Sequence, residues 1–323
     1  MRRLLFESLL MNIRLQVLIF TILMCSIATE SAWGEPPSAN MPQSATQPSL
    51  TLTQAIVLGL VEGATEYLPV SSTGHLVIVE HLMGMSGDEK KKDAADSLAI
   101  CIQIGAIFAV IVLYFNRIKQ MITGMLGRDK EGFRLLVNLL IAFLPVAIIG
   151  VLFKSLLKKH LLHVLPVAVA LFVGGVIILL QSFMGKKPEQ ETGKELTQMS
   201  WKDALFVGVL QCLALWPGFS RSLATILGCR WANVRMTAAV EFSFLLGLLT
   251  LSAATVYEGL KHGKEMIAEY GITMPMVALV TAFIAAVISV KFMVTALGKY
   301  GLTPFGYYRI VLAFVCLWWL KTP

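Results

Sequence analysis

The sequence predicts an all-α polytopic membrane protein, with six transmembrane helices and two re-entrant hairpins of broken helix arranged as an inverted repeat. Three observations predict it. The 323 residues are 56% hydrophobic and 15% charged, with a mean hydropathy of +0.73; a soluble domain carries about 25% charge. Six apolar stretches meet or approach the roughly 20 residues that cross a bilayer. Two shorter ones are interrupted by Pro, Gly and Ser, and the interruptions recur at a fixed offset.

The composition excludes a water-soluble globular fold and disorder. Basic residues outnumber acidic ones 27 to 20, for a net charge of +7, and most lie between apolar runs. That is membrane-flanking charge, not a nucleic-acid surface. The five cysteines form no CxxC pair, so neither a disulfide nor a zinc framework is expected.

In chain order, Arg2, Arg3 and Arg14 precede the apolar run Leu15 to Ala28, and small residues follow. This is the order of a secretory signal, cleaved or kept as an anchor, over residues 1–34. Residues 35–50 form a linker carrying Pro36, Pro37, Pro42 and Pro48. A single membrane domain is expected over 51–323. Its spans are 98–115, 135–153, 161–184, 239–257, 272–290 and 304–320. Residues 52–61 and 76–85 flank one break, and 204–216 and 223–229 flank the other. Non-helical backbone at membrane depth must be buried in protein or line a wet cavity.

An offset of 149 pairs Ala55 with Ala204, Gly59 with Gly208, Glu62 with Gln211 and Ser71 with Ser220. An offset of 140 aligns 138–160 with 278–300. The halves, about 51–185 and 201–320, each hold one hairpin and three spans. An odd number of spans inverts one half relative to the other and brings the two breaks to one midplane site. With residue 50 outside, the loop 116–134 and its Arg117, Lys119, Arg128, Lys130 and Arg134 lie in the cytoplasm.

The first break follows Glu62 and Glu66, which share a helix face four residues apart. Intramembrane carboxylates are costly unless compensated by a shared cation, a shared proton or an Arg partner. Pro69 ends the first half-helix, and Ser71, Ser72 and Thr73 are suited to cap the next. Such an N-terminus is an anion site. His75, three residues beyond Ser72, is placed for acid–base work or for a structural role. At the second break, Pro217 and Gly218 precede Ser220, Arg221 and Ser222, with Thr225 three further on. Arg221 suits phosphate oxygens, or an ion pair with a glutamate. Together the breaks offer what phosphoryl transfer requires, on a substrate reached in a bilayer. Glu241 and Arg309 fall inside spans, either in structural pairs or lining a lipid path.

At these residues the chain strongly resembles the bacterial undecaprenyl-diphosphatase family, which is linked to bacitracin resistance. The resemblance runs from 51 to about 320. It rests on Glu-Gly-x-Thr-Glu-x-Leu-Pro-Val-Ser-Ser-Thr-Gly-His (62–75) and Pro-Gly-x-Ser-Arg-Ser-x-x-Thr (217–225). Ile102-Gln103-x-Gly105, the run from Glu241 to Leu246, and Pro304-Phe305-x-x-Tyr308-Arg309 also match.

The resemblance implies hydrolysis of undecaprenyl diphosphate to undecaprenyl phosphate and phosphate. That would recycle the carrier lipid for cell-wall synthesis and confer bacitracin resistance. It implies a Mg2+ or Ca2+ cofactor on Glu62 and Glu66, with Glu62, Glu66, Ser72, His75 and Arg221 catalytic. Ser71, Thr73, Gly74, Gln103, Gly218, Ser220, Ser222 and Thr225 would hold the substrate. The attacking group is either Ser72 or a metal-bound water. The expected location is the bacterial inner membrane, with the site open to the periplasmic face; the lipid and the bilayer are the expected partners, and a homodimer is compatible with the sequence.

The chain departs from the family pattern at Ala99, where an acid is usual, and at Leu249, where a Pro is common and a kink is therefore less expected. Asn233 replaces a usual Gly, and Arg230 and Trp231 are atypical. Two other classes fit the architecture, a transporter or flippase and a structural membrane subunit.

Overall fold

Each apolar stretch becomes helix because a bilayer offers backbone polar groups no partner outside the segment itself. The computed structural model describes residues 50–85, 89–161, 163–184 and 192–319. The expected signal or anchor at 1–34, and the linker apart from Leu50, lie outside the described residues.

Among the described residues the chain forms eleven α-helices. They are α1 (Leu52–Thr65), α2 (Ser72–Leu82), α3 (Glu89–Leu113), α4 (Phe115–Met125), α5 (Lys130–Leu161), α6 (Val164–Met184), α7 (Trp201–Gln211), α8 (Arg221–Trp231), α9 (Met236–Tyr270), α10 (Thr273–Tyr300) and α11 (Thr303–Trp319). Strand pairing among them is limited to one isolated bridge, Lys194 with Val234.

Four helices are long and apolar enough to cross a membrane, namely α5, α6, α9 and α10. A fifth candidate is the α3–α4 pair, bent by 77° at Tyr114. The chain is a multi-pass membrane protein. The last expected span, α11, has 17 residues, short of the roughly 20 of a full crossing. Residues 116–125, expected as loop, are helical, and Arg117 holds α4 against α9 through Glu241 at 2.5 Å. The helix α9 runs to Tyr270, well past the expected end at 257, because the charged residues there still favour helix once apolar length is exhausted. It is unbroken through Leu249, as the missing proline predicts.

The hairpins exchange partners between halves. The helix α1 packs on α10, and α7 packs on α5, its repeat counterpart; α3 pairs with α9 and α6 with α11. Glycines make these approaches close, the usual source of helix association where lipid removes the hydrophobic drive. A Cβ on Gly63 would lie 2.8 Å from the Ala285 Cβ, and one on Gly59 would lie 2.9 Å from the Thr281 Cβ. A Cβ on Gly208 would meet the Ala142 backbone at 2.8 Å. Asn233 adopts φ 59°, the left-handed conformation its place in the family pattern requires. Ala99 packs beside an apolar core cluster, Arg230 donates to the Val234 carbonyl at 2.9 Å, and Trp231 is half exposed.

Candidate active site

Both breaks are built the same way. The helix α1 ends at Thr65, the chain turns through Pro69, and Ser71 opens α2 at φ 73°, its hydroxyl accepting from the Gly74 N–H at 3.3 Å. The helix α7 ends at Gln211, a 3-10 turn covers Cys212–Leu215, and Gly218 turns at φ 97°. Ser220 then caps α8 at φ 80°, accepting from the Leu223 N–H at 3.3 Å. Ser71 and Ser220 are the pair matched by the offset of 149. A non-glycine residue held in this region costs about 1–3 kcal/mol, and such strain collects at functional sites.

The breaks meet. Arg221, opening α8, donates from Nη2 to Glu66 Oε1 at 2.8 Å and from Nη1 to the Ser243 carbonyl at 2.9 Å. Ser72, opening α2, donates its hydroxyl proton to the other Glu66 oxygen. Ser222 donates to the Leu68 carbonyl at 2.9 Å. The Arg221 guanidinium lies 5.9 Å from the Tyr67 ring centroid, and the Tyr67 hydroxyl is anchored on the Ala106 carbonyl at 2.7 Å. Glu66 thus joins a hydroxyl from one half to a guanidinium from the other, in a setting where it is 7% exposed.

Glu62 is 0% exposed, and neither of its carboxyl oxygens has a hydrogen-bond partner. Its electrostatic neighbours are Glu66, Arg221 and Ser72. Among the described residues there is no group of three or more His, Cys, Asp or Glu that forms a metal cage. The donor set nonetheless suits a hard cation. Two glutamates and a serine hydroxyl are oxygen ligands of the kind Mg2+ and Ca2+ take, and the unpartnered Glu62 carboxyl oxygens are polar groups such an ion would satisfy.

The other expected residues divide. His75 bonds the Ser71 carbonyl through Nδ1 and the Tyr308 hydroxyl through Nε2, each at 2.7 Å. The Ser72 hydroxyl is hydrogen-bonded to Glu66 and not to His75, a pairing that helix spacing does not show. Ser220 and Ser222 share a hydrogen bond at 3.0 Å. Thr225 is turned to the Ser243 hydroxyl, 2.6 Å away. Gly74 and Gly218 lie where the breaks touch, since a Cβ on Gly74 would be 3.5 Å from the Gly218 Cα. Thr73 is exposed, and Gln103 is half-buried on α3.

Glu241 and Arg309 both take structural partners. Glu241 holds Arg117 at 2.5 Å, while Arg309 donates to four backbone carbonyls. Sequence reasoning left Tyr67, Ser243 and Tyr308 without a role. The signals were present: Tyr67 lies inside the first motif, and Ser243 and Tyr308 lie in the flanking matches.

Comparison with known proteins identifies the family. The model of the bacitracin resistance protein BacA family matches residues 55–315. An undecaprenyl-diphosphatase of Sorangium cellulosum is 41% identical over 266 residues, covering 82% of this chain and 85% of the relative. One from Nitrosomonas europaea is 41% identical over 268 residues, 83% of this chain and 94% of the relative. An undecaprenyl-diphosphatase 2 of Rhodospirillum rubrum is 40% identical over 266 residues, 82% and 94%. With the motifs, the joined breaks and these matches in agreement, the chain belongs to the bacitracin resistance protein BacA family.

Proposed function

We infer that this protein is a membrane hydrolase that converts undecaprenyl diphosphate to undecaprenyl phosphate and inorganic phosphate. It thereby returns the carrier lipid to cell-wall synthesis and lowers sensitivity to bacitracin. The relatives' names support the substrate, and one observation carries the chemistry: the Ser72 hydroxyl donates to Glu66, which is ion-paired to Arg221 of the other break.

In this reading the terminal phosphoryl group lies between the N-termini of α2 and α8, whose free N–H groups and dipoles favour anions. Arg221 binds its oxygens and carries the charge that develops on them. The Ser72 Oγ attacks phosphorus, the Oγ–H proton passes to Glu66, and the bond from phosphorus to the bridging oxygen breaks. Undecaprenyl phosphate leaves with that electron pair and takes the proton from Glu66. A water then attacks the Ser72 phosphoester and gives its proton to Glu66, which passes it to the departing Ser72 Oγ as phosphate is released. A Mg2+ or Ca2+ ion held by Glu62 and Glu66 would neutralise phosphate charge when bound. Ser71, Gly74, Gly218, Ser220 and Ser222 shape the loops around this space, and His75 fixes the start of α2 through Ser71.

The arrangement proposed for the membrane is six crossings and two re-entrant hairpins in inverted halves. The exchanged pairing of α1 with α10 and α7 with α5 supports it. An inner-membrane location with the site open to the periplasm follows the substrate and the charge of the 116–134 segment. A homodimer would hold two complete sites.

The test is phosphate release from a long-chain prenyl diphosphate by purified protein in detergent, with Mg2+ or Ca2+ and then with excess chelator. Sustained metal-dependent release without a gradient is expected. Its absence from folded protein across several metals and lipids would favour transport.

A further inference from the structure

Arg309 is the largest fully buried side chain in the described protein, at 0% exposure, and it has no part in the chemistry above. Its guanidinium makes four hydrogen bonds, all to backbone carbonyls. Two come from α6, Leu171 at 3.3 Å and Ala170 at 3.1 Å. The other two come from the breaks, Pro69 at 3.1 Å and Gly218 at 2.8 Å. An ion buried this deeply is costly unless its donors are met, and a rigid planar fork meets several acceptors at once.

The choice of carbonyls is informative. Pro69 and Gly218 are separated by 149 residues, the offset that relates the two halves. Each stands three residues before a group in the proposed chemistry, Ser72 in one half and Arg221 in the other, and these too are 149 apart. One side chain therefore grips the same backbone position in both repeats. Gly174 on α6 leaves it room, because a Cβ there would lie 2.8 Å from the Arg309 Cζ.

We propose that Arg309 is a positioning residue that fixes the Ser72 hydroxyl and the Arg221 guanidinium relative to each other by clamping equivalent carbonyls of the two breaks. It does not touch the substrate. A misplacement of about 1 Å between reacting groups costs on the order of 100-fold in rate, so losing the fork lowers kcat through the mutual placement of Ser72 and Arg221 while every phosphate-binding group is retained. Lysine keeps the charge, but its compact ammonium cannot span all four carbonyls.

This rests on the hydrolase reading, and the experiment separates the two. Arg309→Lys and Gly174→Ala are compared with wild type by steady-state phosphate release, and by amide exchange of segments 70–76 and 219–226. Gly174→Ala leaves Arg309 in place but crowds its guanidinium. The expected result for both variants is a kcat about 100-fold lower, with KM within about threefold and faster exchange in both breaks together. Exchange in α9 and α10 stays unchanged. Near-wild-type kcat in either folded variant overturns the proposal. So does a raised KM with kcat kept, which would make Arg309 a substrate ligand, or faster exchange in one break alone. If Arg309→Lys does not fold, Gly174→Ala decides; failure of both to fold would reduce Arg309 to a folding role and also overturn it. A wild type that releases no phosphate fails the hydrolase reading, while the exchange result still judges the clamp.

Discussion

Exchanging Glu66 for glutamine removes one charge and one proton acceptor at the point where the halves join. In the wild type one Glu66 oxygen receives Arg221 at 2.8 Å and the other receives the Ser72 hydroxyl. Glutamine keeps one acceptor oxygen for Arg221 and turns an NH2 toward the Ser72 hydroxyl oxygen, so that hydrogen bond reverses and Ser72 loses its proton acceptor. Breaking a buried ion pair outright costs about 3–5 kcal/mol. With one acceptor kept and Arg221 still bound to Ser243, the stability loss is expected at about 1–3 kcal/mol. The catalytic loss is larger. Without an acceptor for the Ser72 proton, kcat falls by about 10²–10⁴, or roughly 2.7–5.4 kcal/mol of barrier. Phosphate release at saturating prenyl diphosphate, read beside a thermal melt and size exclusion, measures both effects. A folded Glu66→Gln variant that keeps more than about a tenth of wild-type kcat would refute Glu66 as proton acceptor.

Three further outcomes follow from the same geometry. Ser72→Ala removes the attacking oxygen and one hydrogen bond, so hydrolysis should fall to background while the melting temperature stays near wild type. Gly63→Ala pushes a methyl against Ala285 and the Ala286 backbone, 2.8 Å from each. Overpacking of this kind costs about 1–3 kcal/mol, to be seen as reduced stability in chemical or thermal unfolding. Arg117→Ala breaks the ion pair with Glu241, whose side chains are 36% and 20% exposed. Such a pair is worth about 0–1 kcal/mol, and phosphate release should stay within about twofold of wild type.

The parts of the site legible in the sequence were those with a local signal. Glu62 and Glu66 stand out because carboxylates are rare in apolar runs. The breaks are marked by Pro69, Pro217 and Gly218, and Ser71 and Ser220 by their place after them. The repeat offset was equally readable, and it matched the two serines that share a left-handed conformation. What was not legible depends on packing between distant segments. Ser222 reaches Leu68, His75 reaches Tyr308, and Arg309 reaches both breaks, across separations of 91 to 240 residues. No local period encodes such contacts. Helical spacing put Thr225 on the Ser222 face, but α9 lies against that face, so the hydroxyl meets Ser243. The bend at Tyr114 has no local signal, because residues 116–125 read as charged loop, whereas their charges are the polar side of a helix. The end of α9 was misjudged by equating helix length with apolar length.

In the proposed mechanism the two breaks act as one hydrolytic site through Glu66 and Arg221. A double-mutant cycle on phosphate release distinguishes one site from two, with Glu66→Gln, Arg221→Gln and the double variant measured as kcat/KM on folded protein. Groups in contact couple by about 0.5–3 kcal/mol, so the double variant should lose clearly less than the product of the single losses. Losses that multiply, leaving no coupling, would contradict a shared site.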